Sequence, residues 1–264
     1  MAAITEPRAR ARALYQARVT RRPIAPFTEA DPSLGMAEGY AIQRELVAML
    51  LDDGERIIGY KAGLTSEPMR QMFGVDSPDY APVLASTAFD DGDTLRLQDF
   101  IAPKVEAEIV FRLGARLCGP GVTVPDARAA VAEAFAGLEI VDSRIKDWRI
   151  GLADTIADLA SAGAVVLSGR AVPAGDLDSR LLGMTLARNG ELVATGAGAA
   201  AFGDPLAVVA WLANTLAQHG IALEPGHLIM TGALHAALPI APGDVFTAVF
   251  DRLGAVTLRA SRTV

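Results

Sequence analysis

The stretch "PKVEAEIVF", residues 103–111, sets the terms for the rest of the chain. Val105, Ala107, Ile109 and Phe111 alternate with Lys104, Glu106, Glu108 and, one step beyond, Arg112. Alternation with a period of two is the mark of a strand that buries one face. A strand is therefore expected over residues 105–112. Its other face carries two carboxylates about 7 Å apart along the backbone. Read alone, such a Glu-x-Glu is the solvated face of an ordinary strand. Buried, the two charges repel each other and require a cation.

A third acid bears on that choice. Glu139 stands in "FAGLEIVDSRI", residues 135–145, among Leu138, Ile140 and Val141. A buried ionised carboxylate is costly unless it is paired. Three glutamates without a nearby histidine or cysteine form an all-oxygen set that suits a hard divalent ion, Mg²⁺ or Mn²⁺. Three protein ligands would leave positions for water and substrate oxygens. Pairing with Lys104, Arg112 or Arg144 is the structural alternative. His219, His227 and His235 recur eight residues apart, which is no metal-ligand spacing. They are expected to cap, pack or face solvent.

Outward from these strands, "MAEGYAIQRELVAMLLDDG" (36–54) has helical periodicity through Tyr40, Leu46, Val47 and Leu50, ending at Gly54. "VPDARAAVAEAFAG" (124–137) reads as a helix with Pro125 in its first turn, running into a strand at "LEIV". "GDPLAVVAWLANTLAQHG" (203–220) reads as a helix capped by Asp204 and stopped by Gly220. The tail alternates like β-structure, with turns at "APGD" and "DRLG". The arginine-rich start is expected to be an amphipathic helix with Leu14 and Val19 inside, a transit peptide being the alternative. The expectation is an α+β fold, with a helical N-terminal part over 1–85 and a strand-rich core over 86–264 forming one continuous unit.

Composition narrows the function classes. The chain has 264 residues, 51% of them apolar, which supports a sizeable core. A net charge of −7 gives no general attraction to nucleic acid or acidic membranes. No run of about 18 apolar residues is visible, so no membrane span is expected. Cys118 is the single cysteine, so no internal disulfide can form, and a cytoplasmic setting is expected.

Seven segments then carry a resemblance in this order: "IGYKAGLTS", "MFGVDSPDY", "KVEAEIVFRLG", "GLEIVDSRIKDW", "DTIADLASAG", "LANTLAQHG" and "PGDVFTAVFDRLGAVTLR". Together they resemble the 2-keto-4-pentenoate hydratase and 4-oxalocrotonate decarboxylase group of the fumarylacetoacetate hydrolase superfamily, from about residue 10 to 260. The resemblance implies that superfamily's mixed β-sheet roll or barrel and a divalent metal on Glu106, Glu108 and Glu139. It also implies Lys61 for charge stabilisation or proton transfer, Asp79 as acid–base group, and Ser161 orienting substrate or water. Read without it, Lys61 is a surface lysine, Asp79 a turn residue after Pro78, and Ser161 a cap.

The implied reaction is addition of water to a 2-hydroxy-2,4-dienoate, giving a 4-hydroxy-2-oxoalkanoate in meta-cleavage catabolism of aromatic compounds. A 4-oxalocrotonate-type decarboxylase is the first alternative. A carbon–carbon hydrolase or acylpyruvase comes next, although such hydrolases tend to carry aspartate where Glu139 stands. A catalytically idle metal-binding homologue is the last. The partners implied are a small 2-oxo or 2-hydroxydienoate substrate and further copies of the chain in a homo-oligomer. Two departures stand out. Leu159 replaces an asparagine of the hydratases, which affects polar contacts near Ser161. His235 and Ala236 replace a Gly-Pro pair, where the loop is expected to shape the distal pocket.

Overall fold

The computed structural model describes residues 6–67, 70–71, 74–76 and 78–262. The segment "MFGVDSPDY" therefore falls partly outside the described residues, at Met72, Phe73 and Ser77, as do residues 1–5 of the arginine-rich start.

Three helices open the described chain: α1 (Glu6–Thr20), α2 (Phe27–Ala30) and α3 (Met36–Asp52). Helix α1 buries Ala11, Leu14 and Ala17, one stripe at helical spacing. Leu14 is inside as expected, but Val19 is 56% exposed. Five residues turn the helix by about 140° from Leu14, which carries Val19 off the buried stripe. Helix α3 buries Ile42, Gln43, Leu46 and Leu50. Gln43 Nε2 donates to Tyr80 O (3.0 Å) and Ile156 O (2.8 Å), fastening this helix to segments that border the site described below.

The strands follow as β1 (Ile57–Gly63), β2 (Asp79–Leu84), β3 (Ala88–Asp90), β4 (Thr94–Leu95) and β5 (Lys104–Leu113). Helix α4 (Val124–Ala130) leads into β6 (Val131–Val141), and α5 (Leu152–Ala157) into β7 (Ala162–Leu167). Then come β8 (Val172–Pro173), β9 (Gly183–Arg188), β10 (Glu191–Ala197), α6 (Pro205–Ala217), β11 (Leu228–Met230), β12 (Leu238–Pro239), β13 (Val245–Phe250) and β14 (Gly254–Ala260).

Among the described residues the strands form two sheets. The larger runs β2-β1-β11-β5-β6-β7-β3, with β12 also on β5 and β8 on β6. The smaller runs β10-β9-β13-β14-β4. Strands β1 and β2 precede residue 85, so the N-terminal part contributes strands to the larger sheet as well as helices. Strands β13 and β14 pack against β6. Phe111, Leu138, Leu186, Phe246 and Leu258 are buried in one cluster between the sheets. The apolar residues of β5 that point inward are the alternating set Val105, Ala107, Ile109 and Phe111. The mixed helix and strand content fits the expected α+β class.

One expected helix is much shorter. Only Val124–Ala130 is helical, and Val131–Gly137 extends β6 to eleven residues. Strand β5 presents backbone donors and acceptors along its whole length, and β6 satisfies those of one edge from Lys104↔Val141 to Leu113↔Val131. That pairing overrides the helix propensity of the alanines. Thr123 caps the short helix through Asp126, as a capping box. Helix α6 is as expected: the Asp204 side chain accepts from Leu206 N at 2.9 Å, and Pro205 opens the first turn. The stretch Gly198–Ala217 is long and apolar enough to cross a membrane by length and composition, and half of it is buried inside the protein, as a core helix is.

Candidate active site

The second face of β5 meets the same face of β6. In their antiparallel register Glu106 lies directly opposite Glu139, and Glu108 opposite Gly137. One carboxylate oxygen from each of Glu106, Glu108 and Glu139 lies within 4.8 Å of the others. Glu108 and Glu139 are buried and Glu106 is half-buried. Like charges this close in a sheet destabilise it unless something compensates.

Part of the compensation is Lys61, on β1. It is 3% exposed, and its ammonium donates to Glu139 Oε1 and to Ala160 O, the latter at 2.9 Å. Burial acts to lower the pKa of Lys61, but Glu139, then Glu106 and Glu108, outweigh it and the net shift is upward. Glu108 Oε2 accepts from Gly232 N at 2.9 Å, while its Oε1 has no partner among the described residues. Burial, then Glu139 and Glu106, raise Glu108 well above the usual carboxylate range. Burial and Glu139 raise Glu106 to about 7 against the pull of Lys61 and Lys104.

Asp79 begins β2 opposite Gly63 on β1. Its side chain is buried, and Oδ1 has no hydrogen-bond partner among the described residues. A Cβ on Gly63 would stand 2.2 Å from that oxygen, so this glycine makes the space the carboxyl occupies. Burial raises Asp79 to about 6, with Lys61 pulling down and Glu139 pushing up.

Ser161 ends a run of three left-handed residues, Leu159 (φ 56°), Ala160 (φ 48°) and Ser161 (φ 56°). Side chains rarely adopt this conformation in succession. A buried ion pair holds the run: Asp158 takes the Arg144 guanidinium and also accepts from Arg144 N at 2.8 Å. Arg144 in turn donates to Asp158 O (2.8 Å) and Ala162 O (2.9 Å). The outcome is that Ala160 O faces Lys61, and Ser161 Oγ lies 3.3 Å from Thr155 Oγ1.

All six residues singled out in the sequence, Lys61, Asp79, Glu106, Glu108, Glu139 and Ser161, line one pocket of about 380 Å³. Of the alternative partners for the acids, Arg144 pairs with Asp158 and Arg112 with Glu133. Lys104 places its amine 3.9 Å from the centre of the Trp148 ring. The two departing side chains, Leu159 and His235, lie outside the pocket lining, while the loop around His235 contributes to it. The Leu159 side chain is buried among the α1 and α3 side chains, while Thr155 and Ala160 line the pocket beside Ser161. Nor does His235 line the pocket. Its Nε2 accepts from Ala107 N at 2.9 Å, and the lining on that side is Ala233 and Ala237. Thr65, Thr155 and Trp148 are lining residues that the sequence reading passed over. Thr155 lies six residues before Ser161 in "DTIADLAS", and it is the left-handed run that brings the two hydroxyls together, so no helical spacing marks it.

The family model described as "Fumarylacetoacetate (FAA) hydrolase C-terminal" matches residues 66–260. The chain belongs to the fumarylacetoacetate hydrolase family. Within that family it is 42% identical to a 2-keto-4-pentenoate hydratase of Paraburkholderia xenovorans, over 93% of this chain and 91% of the relative. It is 38% identical to a 2-hydroxyhexa-2,4-dienoate hydratase of Comamonas testosteroni, over 93% and 94%. A solved structure of 4-oxalocrotonate decarboxylase from Pseudomonas putida G7, complexed with magnesium and adipate, superposes with a TM-score of 0.94 at 35% identity, covering 97% of each chain. The resemblance drawn from seven segments is thus borne out, and so is the fumarylacetoacetate hydrolase fold.

Proposed function

We propose that the protein is a divalent-metal-dependent hydratase of 2-hydroxy-2,4-dienoates. The observation that carries this reading is the triad Glu106, Glu108 and Glu139 facing a pocket with Lys61 and Asp79. Relatives named as hydratases at 38–42% identity support the reaction class.

A divalent cation fits the triad. The donors are all carboxylate oxygens, Glu108 Oε1 is buried without a partner, and Lys61 supplies only one of the positive charges that three acids call for. Glu106, Glu108 and Glu139 would hold Mg²⁺ or Mn²⁺, which when bound supplies Lewis-acid stabilisation of negative charge on a 2-oxo acid.

The side chains account for the rest of the reaction. The substrate's 2-hydroxyl loses its proton as carbon 5 gains one, which puts the remaining double bond in conjugation with the new ketone. Water then adds at carbon 4, and carbon 3 takes a proton. Lys61 Nζ, fixed by Glu139 and Ala160 O, stabilises charge on the 2-oxo oxygen. Asp79 Oδ1, with a pKa near 6, holds and delivers a proton close to neutral pH. The hydroxyls of Ser161 and Thr155 orient substrate or water, and Trp148 and Ile150 limit the tail. We read the protein as a cytoplasmic homo-oligomer acting on a small 2-oxo acid within aromatic catabolism.

The test is incubation with Mg²⁺ or Mn²⁺ and freshly generated 2-hydroxypenta-2,4-dienoate, following dienol absorbance and product mass. Gain of one water supports the hydratase. The decarboxylase reading has the superposed decarboxylase behind it. Release of CO₂ from 4-oxalocrotonate, without hydration of the dienoate, would replace the first reading with that one.

A further inference from the structure

A second cavity, of about 440 Å³, shares no lining residue with the acidic pocket among the described residues. It lies between α1 and the segments around β3 and residues 96–101. The carboxylates in its wall are engaged. Asp53 accepts from the Tyr15 hydroxyl, and Asp99 pairs with Arg96 at 2.8 Å. Asp142 accepts from Ile101 N (3.0 Å) and Ala102 N (2.7 Å). Arg144 is taken by Asp158.

Arg18 is different. It is half-buried in this wall, and among the described residues its guanidinium makes no hydrogen bond and no ion pair. Burial, then repulsion from Arg144 and Arg21, lower its pKa to about 10 against the longer-range pull of Asp158 and Glu55, so it stays charged at neutral pH. A guanidinium offers five N–H donors, and a partly desolvated one left unmatched is unfavourable. The same wall, beside its engaged charged groups and Arg21, also carries apolar and aromatic side chains: Leu50, Phe89, Phe100 and Ile101. An organic acid presents both a carboxylate and an apolar body to such a wall. Inorganic phosphate presents only the charge.

We infer that this cavity is a second ligand site, which binds a small organic acid through its carboxylate on Arg18 and its apolar body on Phe89 and Phe100. The site is independent of the reaction proposed for the acidic pocket, yet the two are neighbours. Arg18 and Thr87 also line a void of about 20 Å³ whose other walls include Lys61 and Glu139. A void of that size has room for about one water.

Calorimetric titration of the Mg²⁺-loaded protein with benzoate, acetate and inorganic phosphate tests this. Benzoate should bind wild type, with acetate and phosphate each at least about tenfold weaker. Arg18→Gln should weaken benzoate about 10- to 100-fold. Glu106→Gln should leave benzoate binding unchanged. Because Arg18 makes no hydrogen bond or ion pair among the described residues, and repulsion from Arg144 and Arg21 outweighs the pull of Asp158 and Glu55, the free Arg18→Gln protein should melt no lower than wild type. Phosphate binding as tight as benzoate, or benzoate binding lost in Glu106→Gln and kept in Arg18→Gln, would overturn the inference. So would an absence of benzoate binding to wild type, as when a neighbouring copy fills the cavity.

Discussion

Lys61 is the residue on which the acidic pocket turns, because it is the only cation bonded to the triad among the described residues. Removing it leaves Glu139 buried beside Glu106 and Glu108 with no bonded cation among the described residues. Lys61→Met should therefore lower the unfolding free energy by about 3–5 kcal/mol, the usual result of stripping one partner from a buried pair. Adding Glu139→Gln to that variant should recover much of the loss in denaturant melts, because the stranded charge goes too. A Lys61→Met protein as stable as wild type would mean that the pair contributes nothing. Asp79 can be tested without touching it. In Gly63→Ala the new methyl stands where Asp79 Oδ1 now is, so the carboxyl must move. The expected result is a kcat lower by about 10²- to 10⁴-fold with Mg²⁺ affinity kept, as fits a displaced proton carrier. Unchanged kcat would remove Asp79 from the reaction. His235 makes a third case. Its Nε2 accepts from Ala107 N, so the ring must be neutral there, and burial lowers its pKa. The unfolded chain then binds the proton more readily than the folded one, and stability falls as pH drops below about 6.5. The melting-temperature gap between wild type and His235→Ala should narrow from pH 7.5 to pH 5.5.

At the scale of elements, what the sequence exposed and what it hid follow from range. The period of two in "KVEAEIVF" is a local property, and so is the Asp204-Pro205 start of α6, and both were legible. The length of α4 was not, because its end is decided by β5, whose ladder reaches Val131 from a strand that begins at residue 104. Depth was hidden in the same way. "GYKAG" gives no sign that Lys61 is buried, since its partner Glu139 lies 78 residues away. The left-handed run Leu159–Ser161 was also invisible, because no glycine or asparagine marks it. It is held open by the Arg144–Asp158 pair rather than by local preference. That makes a testable element. A left-handed alanine carries a penalty of about 1–2 kcal/mol that glycine escapes, offset in part by the greater freedom of glycine in the unfolded chain. Ala160→Gly should raise the unfolding free energy by up to about 1 kcal/mol in denaturant titration. A loss of stability would show that the run is not strained.

Across the whole molecule, the acidic pocket gathers charge from strands that also build the larger sheet. Glu106 and Glu108 come from β5, Glu139 from β6, Lys61 from β1 and Asp79 from β2. Four carboxyls therefore face two amines, Lys61 and Lys104, in one half-enclosed space. Because β5 and β6 sit at the centre of that sheet, relief of their repulsion should be felt as stability of the entire fold and not of a loop. A ligand that binds only the folded state adds RT ln(1 + [L]/Kd), about 2.7 kcal/mol at 100 times Kd. Mg²⁺ or Mn²⁺ should thus raise the melting temperature progressively with the logarithm of its concentration, and EDTA should reverse the rise. Glu108→Gln separates charge relief from any other effect of the ion. The amide keeps an acceptor for Gly232 N and removes the orphaned negative oxygen beside Glu106 and Glu139. In EDTA this variant should melt at or above wild type, since it carries one fewer buried charge, and it should lose the rise with Mg²⁺. If wild type melts at the same temperature with and without the ion, Lys61 and proton uptake already balance the triad, and the three glutamates are not a metal site. If Glu108→Gln melts well below wild type in EDTA, the carboxylate is structural in its own right, and its unpartnered oxygen is no sign of a ligand.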